Sequence, residues 1–180
     1  TERVAGDGPQ RRVMTSRLLG SVAWSMAHFG DQRLSAAQFE RAEAAARTVL
    51  ADAVASFGRP HWDAAYGCSG TVGAVADALR LGGLVTRRHR VTRAGLLQLR
   101  AQLIAAGDSR TLQLPGIKPE RRAVIGGGVS VLCALFALLD IDRLRYVPGA
   151  LRHGALHDWL ERPQAGQARS AAPAARSARR

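Results

Sequence analysis

Residues 65–79 read AYGCSGTVGAVADAL. Gly67, Ser69, Gly70 and Thr71 cluster small and hydroxyl-bearing side chains between a short apolar approach and a helix-like pattern. A strand, a small-residue turn and a helix N-terminus hold phosphate well, because the first backbone N–H groups are free and the dipole end is positive. The segment is not a nucleophile elbow: G-x-S-x-G needs glycine where Thr71 stands. Nor is it a P-loop, since no lysine follows the glycines. A second cluster, Gly126, Gly127 and Gly128, fails as a dinucleotide fingerprint because the third glycine would fall on Val131. His153 and His157 have the four-residue spacing that metal sites use on a helix face. No glutamate sits beside His153 and no third ligand is evident, so two surface imidazoles are the plainer reading. Asp63 and Asp77 are the nearest carboxylates in sequence and read as helix-edge or solvent-facing groups. What remains is a phosphate cradle with nothing beside it to cut a bond.

The elements that must position this cradle follow from periodicity and punctuation. Residues 3–6 and 12–18 read as two short strands about Gly6-Asp7-Gly8-Pro9. Ser35-Ala-Ala-Gln38 is a capping box with Leu34 placed as a staple. The helix it opens is expected to run to about Phe57, with Phe39, Ala42, Ala46, Val49, Leu50, Ala53, Val54 and Phe57 on one stripe. A strand leads into Gly67, and the next helix runs from Thr71 to about Leu81, where Gly82-Gly83 stops it. Thr92 caps a helix to about Ala106. Pro115-Gly116 is a turn, and from Pro119 a short turn joins a long apolar helix through Leu139, which Gly126 to Gly128 are expected to interrupt. A strand over 144–147 and a helix over 151–160 complete a body of α/β class, a small mixed sheet packed with helices.

The chain has 180 residues, 26 basic and 14 acidic, for a net charge of +12, and Lys118 is its only lysine. Four arginines lie in the Ala-, Pro-, Ser- and Gln-rich tail 163–180, which has nothing to bury and reads as disordered; the body keeps +8. That balance suits a polyanionic ligand, although a genome rich in G and C would also choose arginine. Arg87, Arg88, His89, Arg90 and Arg93 read as a solvated charge run, and no aromatic platform supports base reading. No apolar run reaches the length that spans a bilayer, and the first residues lack a signal core. Cys68 and Cys133, both in apolar surroundings, read as reduced and buried, as in a cytoplasmic protein.

Three strings in order, GCSGTVGAVADAL at 67–79, LPGIKPERRAVIGGGVSVLCALFALLDID at 114–142 and GALRHGALHDWL at 149–160, together resemble the exopolyphosphatase and guanosine-pentaphosphate phosphohydrolase family, Ppx/GppA. LLGSVAWSMAHF at 18–29 is similar to that family's segment after its second phosphate loop, and Thr1-Glu2 to that loop's last residues. The resemblance covers about residues 1–162. It implies the second RNase H-like lobe of a two-lobed fold shared with actin, sugar kinases and chaperone ATPases. It further implies removal of terminal orthophosphate from inorganic polyphosphate, with guanosine pentaphosphate the rival substrate and Mg²⁺ the implied cofactor. The general base and metal ligands are then expected in a first lobe upstream of Thr1, so no catalytic residue is assigned here. Gly67, Ser69, Gly70 and Thr71 would line the phosphate wall. Arg121 matches the arginine of a Glu-Arg-Ala-Asp segment and Arg152 that of a Leu-Arg-Glu-Gly segment, either as ligand contacts or as structural anchors. Two family carboxylates are replaced, by Ala123 and His153, which raises positive potential and favours the longer polyanion. The face toward a first lobe is expected to be partly apolar and able to drive homodimer formation. If no first lobe exists, the chain reads instead as a non-catalytic polyanion-binding module.

Overall fold

The computed structural model describes residues 1–149 except Pro9 and Pro60, together with His153, Gly154, Leu156, Trp159 and Leu160. Its contacts divide the chain into Thr1–Pro148 and Gly149–Arg180. In the second unit Gly149 is half-buried, and His153, Gly154, Leu156, Trp159 and Leu160 have helical backbone and are exposed. The tail boundary expected at 162/163 lies outside the described residues.

The first unit begins with a hairpin of β1 (Glu2–Asp7) and β2 (Gln10–Ser16), antiparallel with a register shift between Ala5 and Gly6. Helix α1 (Ser21–Phe29) follows, then α2 (Ala36–Leu50) and the short α3 (Ala53–Phe57). Strand β3 (Ala65–Gly67) leads to α4 (Gly70–Leu81), and β4 (Arg90–Thr92) to α5 (Arg93–Ala106). A 3₁₀ turn, Pro119–Arg121, opens α6 (Arg122–Leu138), and β5 (Arg143–Tyr146) closes the unit. Strand β5 lies between β3, to which it is parallel, and β4, to which it is antiparallel.

Local chemistry explains most boundaries. The Ser35 hydroxyl accepts from the Gln38 N–H (3.3 Å) while the Gln38 side chain reaches back to the Ser35 N–H, the full capping box. Thr92 caps α5 by accepting from Gly95 N (3.1 Å). Gly107 ends α5 with φ +73°, a left-handed cap that spares Cβ strain. Contrary to the single helix expected from Ser35 to Phe57, the chain turns at Ala51-Asp52. Val49 and Val54 then fall outside the buried stripe and are exposed, whereas Phe39, Ala42, Ala46, Leu50, Ala53 and Phe57 are buried. Helix α1 was carried in sequence only by its resemblance to a family segment, and β4 was hidden inside what reads as a solvated loop.

Helix α6 is the centre of the unit, packed against α1 and α2 and touching α4 and α5. Gly126 to Gly128 do not interrupt it; the helix runs straight through them. Successive helical positions point about 100° apart, so three glycines in a row admit three different neighbours. A Cβ on Gly126 would press on Phe29 and Leu34, one on Gly127 would sit 2.5 Å from Ser25 N and Oγ, and one on Gly128 would strike the Thr71 methyl. Buried Ser25 accepts from the Gly127 N–H (3.0 Å), tying α1 to α6 at their closest approach. Phe29 and Phe39 meet edge to face at 5.0 Å beside them.

The stretch Pro119–Leu138, 20 residues of mean hydropathy 1.6, is in fact long and apolar enough to cross a membrane, contrary to expectation. Within it, 61% of the window is buried inside the fold, so core packing accounts for its apolarity. Val4 and Met14, cross-strand partners in the hairpin, are exposed together with Leu18, Val22 and Met26. Cys133 is buried and free, as expected, whereas Cys68 is free but exposed.

Two measurements test this packing. Gly127→Ala places a methyl against α1 backbone that cannot rotate away, and should lower unfolding free energy by about 1–3 kcal/mol in urea titrations. His28 packs on Trp24 at 4.6 Å, and burial, followed by the charge of Arg41, holds its pKa below the ordinary 6.5. The unfolded chain then takes up the proton first, so stability is full above pH 6.5 and falls as pH drops through it. Melting curves from pH 7.5 to 5.5 should show that loss, flattened in His28→Gln.

Candidate functional site

The cradle sits where β3 ends. Backbone pairing of β3 with β5 continues one step beyond the strands, with Val147 N donating to Gly67 O (2.9 Å). This is the C-terminal end of a parallel strand pair, where open α/β sheets place ligands. Gly67 must lack a side chain here, since a Cβ would lie 2.9 Å from the Leu144 methyl and 3.1 Å from Val72.

Ser69 caps α4. Its backbone is extended, its carbonyl accepts from Gly73 N (2.9 Å) and its hydroxyl oxygen accepts from Val72 N (3.1 Å). That leaves the Ser69 O–H as a donor, with the N–H groups of Gly70 and Thr71 ahead of the first intrahelical bond. Thr71 is half-buried with its methyl on Gly128, so α6 sets its rotamer. Behind the loop, the bare face of Gly73 meets the Tyr146 ring, where a Cβ would approach to 3.0 Å. Sequence reasoning missed both glycine contacts; the triplet on α6 was the only signal for the first.

Arg121 comes from the 3₁₀ turn ahead of α6 and lies against Gly70. A Cβ on Gly70 would be 2.8 Å from Arg121 Cζ and 2.9 Å from Nη1. Arg121 as a residue is half-buried, and among the described residues no acid or other acceptor engages its guanidinium. A cation therefore stands beside the positive end of the α4 dipole with no protein counter-charge. Arg122 follows it, with Nε buried and unpartnered.

Of the residues expected at the site, the structure brings together Gly67, Ser69, Gly70, Thr71 and Arg121. Arg152 lies outside the described residues, as does His157. Asp63 and Asp77 are exposed. Among the described residues there is no group of three His, Cys, Asp or Glu side chains placed to hold a metal ion. The arrangement can bind and neutralise an anion at the helix terminus; no step of bond cleavage follows from these residues alone.

The sequence profile of the Ppx/GppA phosphatase family matches residues 1–163. Among curated proteins, the guanosine-5'-triphosphate,3'-diphosphate pyrophosphatase of Aeromonas hydrophila is 36% identical over 160 residues, covering 89% of this chain and 32% of that protein. Its counterpart in Vibrio atlanticus is 34% identical over 161 residues, with 89% and 32% covered. The chain thus spans about a third of the length of the curated relatives it matches. Among solved structures, the Aquifex aeolicus Ppx/GppA family member superposes with TM-score 0.72 at 19% identity, covering 88% of this chain and 52% of that one. An exopolyphosphatase from Cytophaga hutchinsonii superposes with TM-score 0.68 at 16% identity, covering 88% and 53%. The fold is the RNase H-like one of these neighbours, and the chain belongs to the Ppx/GppA phosphatase family.

Proposed function

We propose that this chain forms the phosphate-binding wall of a phosphohydrolase that removes terminal orthophosphate from inorganic polyphosphate. The observation that carries this reading is Arg121 packed on Gly70 at the α4 N-terminus, with no acid among the described residues to neutralise it. Two positive groups held together are stabilised when an anion occupies the space before them. The N–H groups of Gly70 and Thr71 and the hydroxyl of Ser69 hold phosphoryl oxygens of a residue that does not react. Arg121 neutralises the chain and, in the transition state, charge spread over the transferred group.

The base that orients water and the ligands for a divalent cation belong, in this reading, to a first lobe preceding Thr1, which also covers exposed Val4, Met14, Leu18, Val22 and Met26. Guanosine pentaphosphate is the second reading, favoured by the names of the curated relatives. The excess of basic over acidic residues and the absence of carboxylates at Ala123 and His153 favour the longer polyanion. The free, exposed Cys68 and the free Cys133 accord with a reducing, cytoplasmic setting.

Phosphate release from long-chain polyphosphate and from guanosine pentaphosphate, with Mg²⁺, should appear only when the chain is joined to a first lobe. In that form Arg121→Ala should lower release by about a hundredfold, the size expected for loss of one transition-state donor. Release by the 180-residue chain alone would refute the division of labour. Occupancy is read separately through Cys68, which lies in the loop. Iodoacetamide should label exposed Cys68 readily, and diphosphate should slow that labelling. Cys133 is the internal reference: burial pushes its thiol up to about 12, so it should react only after unfolding.

A further inference from the structure

The sheet has a second basic feature, at its β4 edge. A cavity of about 330 Å³ is lined by Gly83, Leu84, Val85, Thr86, Arg87, Arg90 and Thr92. Its polar groups are two guanidiniums and two hydroxyls, with no carboxylate. Thr92 uses its hydroxyl oxygen to accept from Gly95 N (3.1 Å), which leaves its O–H free to donate. Arg90 stands directly opposite Arg145 in the antiparallel β4–β5 pair. Like charges in that position repel unless an anion lies between them. Among the described residues none of Arg87, Arg90 and Arg145 pairs with an acid. The acids closest to β5, Asp140 and Asp142, are both engaged by Arg93, at 2.7 and 3.4 Å. Tyr66, 61% exposed, pairs with Arg145 from the other side, so an aromatic ring and two guanidiniums form one row across the sheet.

Topology puts this row beside the cradle. Strand β4 is antiparallel to β5, so its first residue, Arg90, lies at the end where β5 and β3 finish. Tyr146 N donates to His89 O (2.7 Å) in the same layer as Gly67. Two strand spacings of roughly 4.8 Å separate β3 from β4, so the backbone of Arg90, in the pocket's lining, lies about 10 Å across the sheet end from Gly67.

We propose that the Thr86–Arg87–Arg90–Thr92 pocket, with Arg145 at its rim, is a second phosphate site that holds a more distant stretch of the same condensed-phosphate chain. This rests on the loop being a phosphate site. It makes the chain a reader of polymer length, because only a ligand spanning both positions gains from both. The charge run 87–90, which reads in sequence as a solvated loop, supplies the pocket's cations through Arg87 and Arg90.

The test compares binding of diphosphate, too short to bridge, with that of long-chain polyphosphate on the 180-residue chain. Wild type should bind the long chain at least about tenfold more tightly, as expected when a second set of charge-assisted hydrogen bonds is added. Arg87→Ala/Arg90→Ala should lose that excess and flatten the salt dependence, while diphosphate still protects Cys68. Arg145→Ala, at an exposed position, gives the same direction of change should the double variant melt early. Equal long-chain affinity in wild type and variants would overturn the proposal. So would an equal loss in Arg41→Ala/Arg47→Ala on exposed positions of α2, which would mark bulk charge as the cause. If diphosphate fails to protect Cys68 in wild type while the pocket variants still lose long-chain affinity, the loop reading fails and the pocket stands.

Discussion

Close approach of helix backbones at Gly126, Gly127 and Gly128 is the constraint on which the rest of the unit depends. Each glycine removes a side chain in a different direction from α6, and each space is filled by a different neighbour: Phe29 and Leu34, the Ser25 backbone, and the Thr71 methyl. A chain poor in aromatics gains much of its cohesion this way, through short interhelical distances that bring many atoms into dispersion contact. The Ser25–Gly127 hydrogen bond satisfies a polar hydroxyl that the approach would otherwise strand.

The same contact connects packing to the candidate site. Thr71 is the second residue of α4, and its seat on Gly128 fixes how the start of that helix is presented. The turn that opens α6 carries Arg121 to Gly70, so one core helix orients the helix terminus and delivers the cation beside it. Gly67 and Gly73 complete the support by letting Leu144, Val72 and Tyr146 close in behind the loop. The cradle is therefore held by elements distant in sequence, and its N–H groups are pre-aimed, which is what electrostatic stabilisation of phosphate requires.

Paired arginines show where charge is architectural. Arg93 and Arg100 engage acids, Asp140 with Asp142 and Glu43 respectively, and lock helix ends or helix pairs. Arg121, Arg87, Arg90 and Arg145 have no such partners among the described residues and gather at one end of the three-stranded sheet. Such a cluster raises the free energy of the empty protein and lowers it when polyanion binds.

Much of this was legible in the residues alone. The capping box at Ser35, the cap at Thr92, the hairpin, the stop at Gly82-Gly83 and the loop 67–71 all rest on short-range hydrogen bonding and periodicity, which sequence spacing encodes directly, whereas Arg121 was a candidate only through the family resemblance. The break at Ala51-Asp52, the unbroken course of α6, the exposure of Cys68 and the strand at Arg90–Thr92 were decided by tertiary structure. Helix and strand preferences there are weak, and burial against partners far along the chain selects the outcome. Arg121 on Gly70, Thr71 on Gly128, and Arg90 across from Arg145 are likewise long-range pairings. Each exists only once α6 and β5 have docked, because spacing along a chain says nothing about which distant backbone will come close enough to touch.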